Sequence, residues 1–310
     1  MMRVAVLGGG GLMGHGIALA CLQGTECEVV LVSRRGESLF HGRELIVSGP
    51  YGLERAVARG KLDAERARVL EGRIVTTTDY AEGLAGADMV FESIPEVVAD
   101  KQAALAAVER LAPPEALLAT GTSAITIATL ASALRAPARL VGTHWFYPAN
   151  VMPLVEVAVG DATDPGIAAR MLEFLCAIGK RPVRVGDAPG FFMTRFINNF
   201  IAEAIRLVEL GVAGPAEVDE MVKTGLGWPM GVFELLDDAA AFDSWYHAQE
   251  YLHATCGERY VIPNLARRAF EAGYRGNPKL KPDSRGGWYE FLNANRSNAR
   301  SGKTRGGSSN

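Results

Sequence analysis

The first half of the chain alternates between two hydrophobic periods. Short strand-like runs occur at residues 3–7, 28–32, 74–76, 89–93, 117–119, 140–144, 154–159 and 181–185, and 28–32 has the composition of a buried strand. Helically spaced stretches separate several of them, at 13–23, at 37–71 with a break near Ser48-Gly49-Pro50, and at 100–111. Strands alternating with helices predict an α/β fold, a mostly parallel sheet covered on both faces and doubly wound through right-handed crossovers. The pattern changes at Asp187-Ala188-Pro189-Gly190, beyond which no strand pattern recurs. Residues 191–210 read as one long amphipathic helix stopped by Gly211, and 215–223 and 231–237 begin further helices. The expected organisation is an α/β domain over 1–187, an all-α domain over 188–294 and a disordered tail over 295–310. That tail is built of Ser, Gly, Asn, Arg and Lys without an apolar face.

A glycine cluster between the first strand and the first helix gives the α/β half a chemistry. Gly9, Gly11 and Gly14 fit GxGxxG, with Leu12 and Met13 inside the turn. Such a turn lets backbone approach a pyrophosphate and packs the helix closely on the strand. The helix N-terminus then offers unpaired N–H groups to the phosphates. Strand, turn, helix and second strand all fall where a Rossmann-type dinucleotide site needs them. Gly8 adds a surplus glycine, so either Gly8 or Gly9 could open the turn. At the end of the second strand an acid would bind the ribose hydroxyls of NAD. The chain reads Ser33-Arg34-Arg35 there, a hydroxyl and two guanidiniums suited to a 2′-phosphate. NADP(H) is the favoured cofactor, and NAD(H) stays open because two arginines can also sit in a solvated loop.

Composition narrows the remaining classes. The chain has 310 residues, 48% hydrophobic and 22% charged, with net charge −3. That argues against a nucleic-acid footprint or a membrane-surface patch. No apolar stretch approaches the ~20 residues that span a bilayer, and the Gly-rich start lacks the form of a signal peptide. Cys21, Cys27, Cys176 and Cys256 show no CxxC pairing and read as reduced core thiols of a cytoplasmic protein. The five histidines have no zinc-ligand spacing, so no metal is expected. His15 reads as helix surface or a phosphate contact, and His247 and His253 as packing residues of the helical domain.

His144 sits at the C-terminal end of a strand, on the carboxyl edge where open α/β sheets bind ligands. Oxidising an alcohol requires removal of its proton as hydride leaves, and histidine titrates nearest neutrality. Glu156 is a lone acid within Leu154-Val155-Glu156-Val157, a position that calls for a partner. A His144–Glu156 pair would fix the imidazole tautomer and balance an imidazolium. Read from these residues alone, a structural histidine and a solvated strand-edge glutamate remain alternatives.

The segments GLMGHGIA (11–18), FESIPEVVADK (91–101), ATGTSAITI (119–127), GTHWFYPANVMPLVEV (142–157), DAPGFFMTRF (187–196), LGWPMGVFELLD (226–237) and AGYRGNPKLKPDSRGGWYEF (272–291) together resemble the L-3-hydroxyacyl-CoA dehydrogenase family. The resemblance runs from Val4 to about Phe291. It implies that His144 is the catalytic acid/base, Glu156 its orienting carboxylate, and Ser123 a hydrogen-bond donor to the reacting oxygen. It places Glu96 and Lys101 near the nicotinamide and ribose, and gives the helical domain the substrate cleft and a homodimer contact. The implied substrate is a 3-hydroxyacyl thioester. A free or carrier-protein-bound hydroxy acid and a catalytically inactive cofactor-binding protein are the alternatives. The chain also departs from the family, which has asparagine at the positions of Thr194, Tyr147 and Gly121 and an acid at that of Ser33. Thr194 is shorter and cannot donate two N–H bonds. The proton-handling pair and Ser123 are retained.

Overall fold

The computed structural model describes residues 1–238, 241–278 and 283–293. The expected tail over 295–310 lies outside the described residues. Two compact units divide between Phe191 and Phe192.

The first unit is built on one eight-stranded sheet. Its strands are β1 (Met2–Leu7), β2 (Cys27–Val32), β3 (Ile74–Thr77), β4 (Met89–Glu92), β5 (Leu117–Thr120), β6 (Leu140–Trp145), β7 (Leu154–Val159) and β8 (Arg181–Gly186). Their order is β3-β2-β1-β4-β5-β6-β7-β8. All neighbours pair in parallel except β6 and β7, which are antiparallel. The central strands are near-continuous apolar runs because helices cover both faces. Edge strand β8 differs: Arg181, Pro182 and Arg184 leave it largely exposed and poorly suited to further pairing. The helix Gly14–Gly24 is buried from Gly14 through Leu22, which explains why it is apolar nearly all round. The strand order reverses between β1 and β4, and this reversal opens the crevice used by ligands of such sheets.

Helix boundaries follow local signals. Asp63, Asp79 and Asp164 each accept two backbone N–H bonds at the starts of Ala64–Glu71, Tyr80–Leu84 and Pro165–Ala177. Pro165 adds the fixed backbone angle suited to a first helical position.

The second unit is helical. Met193–Glu209, Pro215–Leu226, Val232–Asp237, Ala241–Cys256 and Asn264–Glu271 gather around Phe233, Phe242, Trp245, Tyr246 and Trp288. Among its described residues the only strand-like pairing is a single bridge, Gly276 to Gly286. Two expectations change here. His253 lies toward the surface, 3.5 Å from Glu258, while His247 packs edge-on against Phe270 at 5.5 Å as expected but is itself exposed and 3.0 Å from Glu250, because their helix buries Phe242, Trp245, Tyr246 and Leu252. Of the cysteines only Cys21 and Cys27 are core thiols, and Cys176 is exposed near the end of its helix.

Candidate active site

The glycine turn leaves the carboxyl end of β1 at the reversal point. Gly8 opens it: its φ is +75°, its N–H donates to the Val32 carbonyl at 2.9 Å, and its carbonyl accepts from Gly11 N–H at 2.8 Å. A Cβ on Gly8 would sit 2.4 Å from the Ser93 carbonyl, and one on Gly14 would sit 2.3 Å from the Gly8 carbonyl. The expectation left Gly8 and Gly9 both open, and the left-handed backbone at Gly8 decides between them. Leu12 is exposed, and Met13 stands at the helix N-cap. His15 is buried rather than on the helix surface, with Nδ1 2.8 Å from the Gly11 carbonyl. Burial lowers its pKa.

Beside this turn lies a cleft of about 440 Å³. Ser33, Arg34 and Arg35 line one side, and Ser93, Ile94 and Pro95 at the end of β4 line the other. Arg34 and Arg35 are exposed, and neither has a carboxylate within ion-pair distance among the described residues. A backbone cradle with no room for side chains and a helix whose first turn carries no acid fit a dinucleotide's pyrophosphate. The unpaired guanidiniums fit further phosphate charge.

The reacting edge lies along β5 and β6. The antiparallel register sets His144 directly opposite Glu156. Their side chains meet at 2.6 Å, Nδ1 to Oε2, with Glu156 only 2% exposed. The ring nitrogen left for other partners is Nε2. Phe146 and Phe191 stand against the imidazole, with ring centroids at 4.5 and 6.3 Å. Ser123 belongs to the segment leaving β5, whose Thr120 pairs with Gly142 of β6. Ser123 and His144 therefore leave neighbouring strands on the same edge.

Glu96 organises the Ser123 segment. Its Oε1 accepts from Thr122 Oγ1 at 2.6 Å, Ser123 N–H at 2.8 Å and Ala124 N–H at 3.0 Å. Lys101 is wholly buried, with its ammonium on Glu92 at 2.8 Å and 3.4 Å from Glu96. Glu92 escaped the sequence reading, although Met89-Val90-Phe91-Glu92 carries the signal that singled out Glu156: one acid in an apolar strand. Lys180 was also missed. It is buried, donates to the Ala149 and Met152 carbonyls at 2.7 and 3.0 Å, and so braces the loop after His144. Burial lowers its pKa.

The departing positions are placed as follows. Tyr147 meets Tyr51 edge to face at 6.2 Å. Gly121 has its N–H on the Glu92 carbonyl at 2.7 Å, and a Cβ there would come within 2.9 Å of that oxygen. A larger residue would therefore require a local shift. Thr194 is the second residue of the helix Met193–Glu209, in the second unit, and is buried.

Known proteins resemble the chain over most of its length. Residues 3–188 match the NAD binding domain of 3-hydroxyacyl-CoA dehydrogenase, and residues 190–283 match its C-terminal domain. A 3-hydroxybutyryl-CoA dehydrogenase of Mycobacterium tuberculosis is 37% identical over 281 residues, 89% of this chain and 95% of that protein. A 3-hydroxyadipyl-CoA dehydrogenase of Escherichia coli is 36% identical over 276 residues, 89% of this chain. The match spans only 57% of that longer relative. The crystal structure of (S)-3-hydroxybutyryl-CoA dehydrogenase from Ralstonia eutropha superimposes with TM-score 0.81 at 29% identity, over 90% of this chain and 96% of that one. With both family domains matched in order over residues 3–188 and 190–283, and a relative 37% identical across 89% of the chain, the chain belongs to the 3-hydroxyacyl-CoA dehydrogenase family.

Proposed function

We propose that this protein exchanges hydride between a nicotinamide cofactor and C3 of a 3-hydroxyacyl or 3-oxoacyl thioester. The observation that carries the reading is the His144–Glu156 pair, buried and 2.6 Å apart on the ligand-binding edge of the sheet. In oxidation, Nε2 of His144 takes the hydroxyl proton, and in reduction it returns it. Glu156 holds Nδ1 protonated and balances the imidazolium. The Ser123 hydroxyl donates to the reacting oxygen, with Thr194 as a second polar group. When bound, the nicotinamide supplies or accepts the hydride.

Gly9, Gly11, Leu12, Met13 and Gly14 cradle the pyrophosphate, and Glu96 and Lys101 lie toward the nicotinamide end. Ser33, Arg34 and Arg35 receive a 2′-phosphate, so NADP(H) is preferred over NAD(H). That preference, with an NADPH-driven direction, suits reduction of the 3-oxo group. The domain assignment is 1–187 for cofactor and 188–294 for substrate closure and dimerisation. The exposed, stacked Phe192 and Phe196 and the exposed Met221 and Leu226 supply the apolar surface of a homodimer. No helix among the described residues is long and apolar enough to cross a membrane, and the free cysteines suit a cytoplasmic setting.

The test is fluorescence titration with NADPH and with NADH, followed by oxidation of each with acetoacetyl-CoA. Tighter NADPH binding with turnover is the expected result. NADH preference would remove the 2′-phosphate role of Arg34 and Arg35. Binding without turnover would move the substrate away from short acyl-CoA thioesters.

A further inference from the structure

Two carboxylates clamp the segment that carries Ser123. At its start, the unexposed Glu92 accepts from Thr120 Oγ1 at 2.6 Å, and its carbonyl accepts from Gly121 N–H at 2.7 Å. At its end, Glu96 gathers the Thr122 hydroxyl and the Ser123 and Ala124 N–H groups on Oε1. Lys101 joins the two carboxylates. Its Nζ donates to Glu92 Oε1 at 2.8 Å and Oε2 at 3.1 Å, and lies 3.4 Å from Glu96 Oε2. Glu92 Oε1 also accepts from Ile94 N–H at 2.7 Å, which ties the clamp to the wall of the cofactor cleft.

One cation is shared by two anions, and the sharing is unequal. Lys101 is 1% exposed, so water cannot replace a lost partner. Neutralising Glu92 leaves Glu96 as the nearest anion, and the ammonium is drawn toward Glu96 Oε2. The Glu96 carboxylate then turns on its stem. Its charge-assisted bonds to the Ser123 and Ala124 N–H groups are short and directional, so that turn moves the Ser123 backbone.

We infer that Glu92 is a positioning residue for the reaction, holding the Ser123 segment in register with His144 through Lys101 and Glu96. The inference rests on the dehydrogenase reading, in which Ser123 holds the reacting oxygen. Glu92 is wholly buried and acts through its protein partners.

A buried ion pair can also be purely structural, and the two roles respond differently to a double substitution. Removing one partner of a buried pair destabilises strongly, whereas replacing both with apolar groups of similar size is often neutral. Glu92→Gln should lower Tm and kcat together. Glu92→Gln combined with Lys101→Met, which removes both charges and keeps an amide oxygen for Ile94 N–H and Thr120 Oγ1, should return Tm close to that of the unsubstituted protein. Its kcat with acetoacetyl-CoA should stay lowered by about tenfold or more, with a much smaller change in KM, because misplacing a reacting group acts on the chemical step. Hydrogen exchange at the Ser123 and Ala124 amides should accelerate in both variants. A double variant that recovers both Tm and kcat overturns the inference, as does unchanged exchange at those two amides. If the unsubstituted protein turns over no acyl thioester, the substrate reading fails while the exchange measurement still decides the clamp.

Discussion

Glu156→Gln removes a charge from the buried pair while keeping its shape. Glu156 is 2% exposed and 2.6 Å from His144 Nδ1, so bulk water screens little of its field at the ring. When the imidazole takes the substrate's hydroxyl proton, it becomes a cation beside this carboxylate. Unit charges about 4 Å apart at an effective dielectric constant near 20 attract by about 4 kcal/mol. Glutamine can still accept from Nδ1–H, which retains a neutral hydrogen bond of about 1 kcal/mol. The remaining loss of about 3 kcal/mol lowers the rate by about a hundredfold. The assay is steady-state oxidation of NADPH or NADH with acetoacetyl-CoA at neutral pH, alongside cofactor titration and a thermal melt. The expected variant binds cofactor normally, melts near the unsubstituted protein and loses kcat. A variant with kcat close to the unsubstituted value refutes the claim that Glu156 stabilises a developing imidazolium.

Two further predictions come from other parts of the molecule. Gly14→Ala drives a Cβ to 2.3 Å from the Gly8 carbonyl, a backbone atom that cannot swing aside. It should cost about 1–3 kcal/mol by overpacking and abolish nicotinamide binding in the fluorescence titration; full-affinity binding would mean the turn is not the cradle. In the second unit, burial raises the Asp237 carboxyl from 3.8 to about 6, against the N–H bonds from Trp288 and Tyr289. Because the folded-state pKa is the higher one, the folded state holds the proton more tightly. Stability from this group is therefore full below pH 3.8 and is lost as pH rises toward 6. A shift of this size has a ceiling of about 3 kcal/mol, reduced to about 1–2 kcal/mol because the carboxylate is partly open to solvent. Asp237→Asn keeps an acceptor for Trp288 N–H. It should be more stable than the unsubstituted protein at pH 7.5 and equal to it near pH 4, by chemical denaturation. A stability difference independent of pH would show that Asp237 does not titrate as described.

Much of the candidate site is legible in the sequence because its signals are local. GxGxxG between a strand and a helix is a continuous motif, and the lone acid Glu156 in an apolar strand declares its need for a partner. Asp164-Pro165 likewise announces a helix start, although the periodicity reading passed over it. Glu92 carries the same signal as Glu156, but its partner Lys101 lies on the following helix, where sequence spacing does not announce the pairing. Of the two readings of His15, helix surface or a phosphate contact, the first fails, because a polar residue in a nearly apolar helix usually faces water and this one is buried. Here it turns inward to the Gly11 carbonyl.

The sequence by itself determined the alternation of elements, the phosphate turn, the change to an all-helical second unit and the residue types available for proton transfer. Each depends on side chains adjacent in the chain or one helical turn apart. The tertiary structure decided the pairings. An apolar strand looks the same whether its neighbour runs parallel or antiparallel, and only the antiparallel β6–β7 register sets His144 across from Glu156. The Glu92–Lys101–Glu96 clamp likewise joins β4, the helix Val98–Leu111 and the segment after β5. Glu92 lies nine residues from Lys101 and 28 from Thr120, and the three become a single network only when the sheet brings the ends of β4 and β5 side by side, away from water. Hydrophobic period records which face of an element is buried, and burial alone does not say which buried groups meet.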